Sequence, residues 1–155
     1  MNKLAFEVVE KLKVRKLTIA TAESLTAGLV SSKLAEIQGA SKVLKGAIVA
    51  YQNEVKVNIL NIDSEIINKY SSVSSEVATL MAQNVRKILG ADIGVATTGV
   101  AGPATVGDNK VGTVFVALSF LEHNMCLKLN LTGDRQSIRE ETCNKLFEFI
   151  LEKLV

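Results

Sequence analysis

The segment Thr18–Val30, TIATAESLTAGLV, begins with five small or β-branched residues and ends with residues that fit the start of a helix. This pattern predicts a short buried strand, a polar turn at Glu23 and Ser24, and a helix that runs from Thr26 to about Ile37. A strand that passes directly into a helix is a building unit of α/β proteins. The segment therefore favours an α/β fold.

Strands and helices continue to alternate along the rest of the chain. Apolar residues at helical spacing predict helices over 3–14, 53–60, 64–69, 74–89 and about 135–150. Ser74 is the expected N-cap of the fourth of these helices, and Gly90 ends it. Strands are predicted over 46–51, 93–97, 112–120 and 125–131, the last two as a hairpin. The alternation implies a mixed, mostly parallel sheet of about five strands, with helices on both faces.

Length and composition indicate a single globular domain over residues 1–155. Hydrophobic residues make up 48% of the chain, and a chain of about 150 residues buries enough surface to form a packed core. The net charge is only +2 and aromatic residues are only 5% of the chain. Because the chain has little with which to hold phosphate backbones or to stack bases, we expect no nucleic-acid partner.

The cysteines, the single histidine and the start of the chain bear on metals and location. Cys126, Cys143 and His123 are too few for a closed metal site or a disulfide scaffold, and His123 falls at the tip of the predicted hairpin. The first residues carry charges where a signal peptide needs an apolar run. The uncharged stretch 111–121 is well short of the roughly 20 residues that span a bilayer. We expect a cytoplasmic protein with no metal and no membrane partner.

Polar residues follow the predicted parallel strands, where open α/β sheets bind their ligands. Glu23 and Ser24 follow the first strand, Tyr51 ends the second, and Thr98 follows the third. An antiparallel fourth strand would start at the same edge, and the fifth would bring residues 132–135 there. One edge of the sheet is therefore predicted to collect the polar groups.

Ser24 is a candidate nucleophile because it stands at a strand-to-helix turn, where free backbone N–H groups of the following helix could hold an oxyanion. Simple helix capping is the alternative. Lys56 lies about one helical turn beyond Tyr51, so its amine could reach back as the base that a serine needs. No histidine stands near a strand end, and a lysine of lowered pKa can serve instead, although a lone lysine on a helix is more often solvated.

The loop after the third strand and the start of the last helix point to an anionic ligand. Gly99 and Gly102 flank small residues and would permit a close backbone approach to a ligand, although a plain connection would look similar. Arg135 and Arg139 open the last helix, where a cation opposes the helix dipole. An anionic group such as phosphate accounts for this placement, and two solvated arginines are the alternative.

Taken in order, these motifs resemble those of the CinA C-terminal domain family, the nicotinamide-mononucleotide deamidases. The resemblance covers nearly the whole chain and depends on several blocks in the right order, since no single block would suffice. The blocks are 22–28 (AESLTAG), 51–56 (YQNEVK), 73–74 (VS), 98–103 (TGVAGP), 111–114 (VGTV) and 133–135 (GDR).

The resemblance implies a three-layer α/β/α domain that hydrolyses the carboxamide of nicotinamide mononucleotide to nicotinate mononucleotide and ammonia, without a metal or organic cofactor. It places the family's nucleophile at Ser24, its tyrosine and lysine at Tyr51 and Lys56, and its active-site threonine at Thr98. The matching motifs also imply substrate contacts at neighbouring residues, namely Glu23, Thr26, Asn53, Gly99 and Gly102.

Some features of the resemblance leave alternatives open. The family's arginine falls on Arg135 or Arg139, and the sequence does not choose between them. Loop 103–111 lacks one glycine and a proline that family members usually carry there, and Gln52 stands where a small hydroxyl residue is common. A non-catalytic nucleotide-binding module is therefore the main alternative, and a partner-binding or assembly domain is a third. Family members are often longer, whereas this chain resembles the stand-alone form, and a homo-oligomer is expected.

Overall fold

Six α-helices and five β-strands make up the chain, which a computed structural model describes over residues 1–155. The strands are β1 Ile19–Glu23, β2 Leu44–Val49, β3 Ile93–Gly99, β4 Thr113–Phe120 and β5 His123–Asn130. The helices are α1 Lys3–Arg15, α2 Leu29–Ala35, α3 Asn53–Asn58, α4 Ser64–Tyr70, α5 Ser75–Leu89 and α6 Arg135–Lys153. A 3-10 turn, Ala40–Lys42, leads into β2.

The five strands form one sheet in the order β2-β1-β3-β4-β5. β1 pairs in parallel with β2 and with β3, so that Glu23 lies opposite Val49 on one side and Thr97 on the other. β4 runs antiparallel to both β3 and β5. Four strands therefore point in one direction and β4 in the other, which confirms the predicted mixed, mostly parallel sheet.

Helices cover both faces of the sheet. α1, α2 and α6 pack together on one face, over a core in which Val9, Leu34 and Phe147 are fully buried. α5 packs on the other face, where the central strands present Ala20 and Ala96 to it. Small side chains at these positions let the helix come close to the sheet. The result is the three-layer α/β/α arrangement that the resemblance implied.

The ends of two helices show where sequence prediction succeeded and where it was wrong. α5 begins as predicted, because Ser74 Oγ accepts a hydrogen bond from Val77 N at 3.2 Å, and it ends at Gly90. α2 starts at Leu29, three residues later than the predicted Thr26. Ala27 and Gly28 have φ angles of 49° and 98°, which are incompatible with a right-handed helix. Residues 25–28 therefore form a turn.

The carboxyl ends of β1, β2, β3 and β5 lie at one edge of the sheet together with the start of β4. Gly99 pairs with Val114, and Thr113 pairs with Asn130. His123 lies at the opposite edge, but it is the first residue of β5 and pairs with Phe120, so the predicted turn position was wrong. None of the helices combines the length and the apolar character needed to cross a bilayer.

Candidate active site

A cavity of about 400 Å³ opens at the edge where the carboxyl ends of the strands meet. Ser24, Tyr51, Lys56 and Arg135 line it, together with the loop that follows β3. Residues predicted from separate parts of the sequence are thus brought to one place. The lining includes two cationic side chains and no carboxylate, which makes the cavity suited to an anionic ligand.

Lys56 is buried against Ser24 at the floor of this cavity. Only 1% of Lys56 and 8% of Ser24 is exposed to solvent, and Lys56 Nζ lies 3.0 Å from Ser24 Oγ. The same nitrogen donates to two backbone carbonyl oxygens, Ala50 O at 2.8 Å and Tyr51 O at 3.2 Å. The amine therefore has three oxygen neighbours, none of which belongs to a carboxylate.

The local sequence explains how Lys56 reaches Ser24. Ala50 N donates to Glu23 O at 2.8 Å, which fixes the end of β2 beside the residue that precedes Ser24. Lys56 N donates to Gln52 O at 3.3 Å and so belongs to the first turn of α3. β2 ends at Val49, two residues before the predicted end at Tyr51, and only residues 50–52 separate it from α3. Because this connection is short, the side chain of Lys56 returns over the strand end, as predicted from its spacing.

Burial lowers the pKa of Lys56 from 10.5 to about 8, since the ammonium loses its hydration and gains no carboxylate in exchange. A neutral amine has two N–H groups to donate and one lone pair to accept. Because carbonyl oxygens can only accept, Ala50 O and Tyr51 O take the two N–H groups. The lone pair is then left for the hydroxyl hydrogen of Ser24.

The turn that carries Ser24 is held from two sides. Ser24 N donates to Thr97 O at 3.0 Å, and Thr97 Oγ1 lies 2.8 Å from Thr26 Oγ1. From α6, Arg139 donates through Nε to Leu25 O at 2.9 Å and through Nη2 to Thr26 O at 3.1 Å. Both β3 and α6 therefore fix the position of the serine.

Glu23 is fully buried beneath this turn and does not line the cavity. Its carboxylate accepts five hydrogen bonds of 2.7–3.2 Å, from the hydroxyls of Thr21 and Thr26 and from the N–H groups of Gly28, Val30 and Ser31. Thr26 is also fully buried. This corrects the expectation that Glu23 and Thr26 contact the substrate. Neither residue lines the cavity, and both instead build the turn and the start of α2.

The backbone N–H groups predicted to hold an oxyanion already make hydrogen bonds within the chain. Those at the start of α2 donate to the carboxylate of Glu23, which leaves other backbone N–H groups beside Ser24 as the candidate oxyanion donors. Leu25 N makes no hydrogen bond within the chain. Val100 N donates to Thr113 O, and successive N–H groups of an antiparallel strand point to opposite sides. The N–H of Gly99 therefore points toward the end of β1, where Ser24 lies.

At the mouth of the cavity, Arg135 joins Tyr51 to the loop after β3. Arg135 Nη1 donates to Gly102 O at 2.7 Å, and Nη2 donates to Tyr51 Oη at 2.5 Å. Tyr51 is half exposed, and its hydroxyl bonds to Arg135. Tyr51 therefore contacts Lys56 through its backbone carbonyl, not through its hydroxyl.

Three further predicted residues do not line the cavity. Thr98 is 1% exposed and donates its hydroxyl to Ser72 O at 2.7 Å. Asn53 is exposed at the start of α3. Arg139 binds the backbone of the serine turn, as described above. Of the two arginines between which the sequence did not choose, it is Arg135 that the structure brings to the cavity.

Gly99 and Gly102 line the cavity, but contacts within the chain explain why they are glycines. A Cβ on Gly99 would lie 2.7 Å from Val114 Cγ2, and one on Gly102 would lie 2.7 Å from Val111 Cγ1. Gly102 also has a φ of 87°, which favours glycine. These residues let the loop pack against the chain around β4, and their backbone forms one wall of the cavity.

Sequence reasoning missed Ser72 and Thr105, which also line the cavity. Ser72 lies in the connection between α4 and α5, and Thr105 lies in loop 103–111. Neither segment carries a helical or strand periodicity that would place it. The hydrogen bond from Thr98 to Ser72 O, which joins distant parts of the chain, brings Ser72 to the strand ends.

The fold and the site together define an α/β/α domain with a buried serine and lysine at the strand ends. The chain matches the family model of the CinA C-terminal domain over residues 1–154, and it belongs to that family. It is 43% identical over 152 residues to a Bacillus cereus (strain B4264) protein whose name describes it as competence-damage inducible. That match covers 97% of this chain but only 37% of the length of the relative.

Solved structures of the CinA superfamily have the same fold. The CinA superfamily protein from Klebsiella pneumoniae 700603 matches with a TM-score of 0.96 and 27% identity, over 99% of this chain and 98% of that one. The competence/damage inducible protein CihA from Agrobacterium tumefaciens matches with a TM-score of 0.93 and 29% identity, over 97% and 93% of the two chains.

Proposed function

We propose that this domain hydrolyses the carboxamide of nicotinamide mononucleotide, giving nicotinate mononucleotide and ammonia. The observation that carries the proposal is the buried Lys56 amine, 3.0 Å from Ser24 Oγ and bonded otherwise only to two carbonyl oxygens. This arrangement supports a serine nucleophile with a lysine base. The choice of substrate rests on membership of the CinA C-terminal domain family and on the motifs that resemble nicotinamide-mononucleotide deamidases.

The first half of the proposed reaction forms an acyl-enzyme. Neutral Lys56 takes the hydroxyl proton of Ser24 while Ser24 Oγ bonds to the carboxamide carbon, and the carbonyl oxygen becomes an oxyanion. When the tetrahedral intermediate collapses, the C–N bond breaks. The nitrogen takes the proton from the Lys56 ammonium and leaves as ammonia. Lys56 is then neutral again.

The second half releases the acid. A water molecule gives a proton to Lys56 and attacks the acyl carbon, and the bond to Ser24 Oγ breaks as the serine recovers its proton. The N–H groups of Leu25 and Gly99 are the backbone donors proposed for the oxyanion in both halves. Ala50 O and Tyr51 O hold the amine in place throughout.

The charge of the cavity supports a nucleotide as the substrate. Arg135 keeps donor capacity beyond its bonds to Gly102 O and Tyr51 Oη, because a guanidinium has five N–H groups. Arginine is well matched to phosphate, and no carboxylate lines the cavity to compete with it. We therefore propose that Arg135 binds the substrate phosphate while Ser24 attacks the carboxamide.

The test is ammonia release from nicotinamide mononucleotide by the purified chain. We expect turnover by the wild type, and a loss of roughly 10²- to 10⁴-fold for Lys56→Met. Ser24→Ala should be at least as impaired, and the double variant should be little worse than either single one, because the two residues act as a unit. Ser32→Ala, which removes an exposed hydroxyl on α2, is the matched control and should keep full activity.

The alternative of a non-catalytic nucleotide-binding module predicts saturable binding of nicotinamide mononucleotide without ammonia, and an assembly domain predicts neither. Calorimetry beside the activity assay separates these readings. Full ammonia release by Ser24→Ala would discard the proposed mechanism.

A homo-oligomeric state and a cytoplasmic location stay predictions, and light scattering on the purified chain tests the first.

A further inference from the structure

Six polar side chains line the cavity, and four of them are already paired. The floor pair is Ser24 with Lys56, and the mouth pair is Tyr51 with Arg135. The other two, Ser72 and Thr105, make no side-chain hydrogen bond within the chain. A hydroxyl that lines a cavity and has no partner in the protein is available to a ligand.

Ser72 is held in place by its neighbours. Its carbonyl oxygen accepts a hydrogen bond from Thr98 Oγ1 at 2.7 Å. The next residue, Val73, donates through N to Ser71 Oγ at 3.2 Å and accepts through O from Asn109 Nδ2 at 3.3 Å. The backbone that carries the Ser72 hydroxyl is therefore fixed without any ligand.

The same asparagine also ties Thr105 to this arrangement. Asn109 exchanges backbone hydrogen bonds with Val106, at 3.3 Å and 2.9 Å, and so closes a tight turn next to Thr105. Its side chain reaches Ser71 and Val73. Asn109 thus links the two segments that carry the unpaired hydroxyls, and both residues line the same cavity.

We infer that Ser72 and Thr105 form a subsite for the sugar hydroxyls of the substrate, an inference that rests on the proposed function. Tyr51 bonds to Lys56 through its carbonyl and to Arg135 through its hydroxyl, so one tyrosine side chain spans the distance between the floor pair and the mouth pair. A nucleotide with its carboxamide at the floor and its phosphate at the mouth has its sugar between them. Sugar, serine and threonine hydroxyls all both donate and accept hydrogen bonds.

The test compares ammonia release from nicotinamide mononucleotide and from its 2′,3′-dideoxy analogue. Ser72→Ala and Thr105→Val should each raise KM for the nucleotide about 3- to 10-fold, the effect of losing one neutral hydrogen bond, with little change in kcat. Neither variant should change KM for the analogue, which lacks the sugar hydroxyls. Ser75→Ala, at the first residue of α5 and outside this cavity, is the matched control.

Equal effects on both substrates, or no effect on either, would overturn the subsite. If the wild type releases no ammonia, the proposed function fails, and calorimetry with the same two compounds then decides the subsite separately. In that case weaker binding of the nucleotide, but not of the analogue, by Ser72→Ala supports the inference. Unchanged binding of the nucleotide overturns it.

Discussion

Lys56 Nζ lies 3.0 Å from Ser24 Oγ, and its two other hydrogen-bond partners are backbone carbonyl oxygens, so no charged group is bonded to this amine. The contact joins the end of β1 to the first turn of α3, two elements that are 32 residues apart in sequence. Because the amine is buried among neutral oxygens, the protein destabilises its charged form. A residue that is ordinarily a solvated cation thereby becomes a group able to accept a proton near neutral pH.

The first prediction concerns stability, because the burial of Lys56 has a cost that depends on pH. Its pKa is 10.5 in the unfolded chain and about 8 in the folded one, so the unfolded state binds more protons between these values. Stability should therefore rise with pH across this window. Measured against Lys56→Met, the free energy of unfolding of the wild type should improve by about 3 kcal/mol between pH 7 and pH 10.5.

Urea denaturation at several pH values measures this difference. Lys45→Met serves as the control, because Lys45 is an exposed lysine on the edge strand β2. The difference between the wild type and the control variant should stay nearly constant over the same range. A wild-type advantage over Lys56→Met that does not change with pH would show that Lys56 is not destabilised by burial.

A second prediction separates the two arginines of α6. Arg135→Ala should raise KM for nicotinamide mononucleotide roughly 10- to 100-fold, the loss expected for hydrogen bonds to a charged group. It should have little effect on nicotinamide riboside, which lacks the phosphate. Arg139→Ala removes support from the carbonyls of Leu25 and Thr26 and should impair both substrates to the same degree. Steady-state kinetics with the two substrates test this, and an equal loss for both with Arg135→Ala would contradict the phosphate assignment.

A third prediction concerns Glu23. Glu23→Ala leaves five buried or partly buried donors without their acceptor, so it should lower the free energy of unfolding by at least about 3 kcal/mol. Asp134→Ala removes an exposed carboxylate that caps α6 by accepting from Ser137 N, and its effect on the free energy of unfolding should be much smaller than that of Glu23→Ala. Chemical denaturation compares the two variants. Similar losses for both would mean that the Glu23 network does not hold the serine turn.

Most of the fold could be predicted because hydrophobic periodicity reports directly which face of each element is buried. The sheet, its mixed direction and the bounds of α5 follow from patterns such as the apolar face of α5 between Ser74 and Gly90. The start of α2 could not be predicted in this way. It depends on the carboxylate of Glu23, which binds N–H groups up to eight residues away and so lets residues 25–28 leave the helix.

The site was predictable in part for a similar reason. Ser24 and Lys56 follow strand ends, and the sheet topology alone brings strand ends together. Arg135 and Arg139 lie one helical turn apart on α6, and their different partners in the folded chain distinguish them: Arg135 bonds to Gly102 O and Tyr51 Oη, whereas Arg139 bonds to the backbone of the serine turn. Ser72 reaches the cavity through a long-range hydrogen bond with Thr98, for which the sequence has no local signal.

The dependence of kcat/KM on pH tests the Ser24–Lys56 pair most directly. Since the base must be neutral to accept the serine proton, kcat/KM for ammonia release should rise with pH and level off above an apparent pKa of about 8. Below that value it should fall tenfold for each pH unit. A rate that stays constant between pH 6 and pH 9 would contradict the account, because the group that activates Ser24 could not then be Lys56.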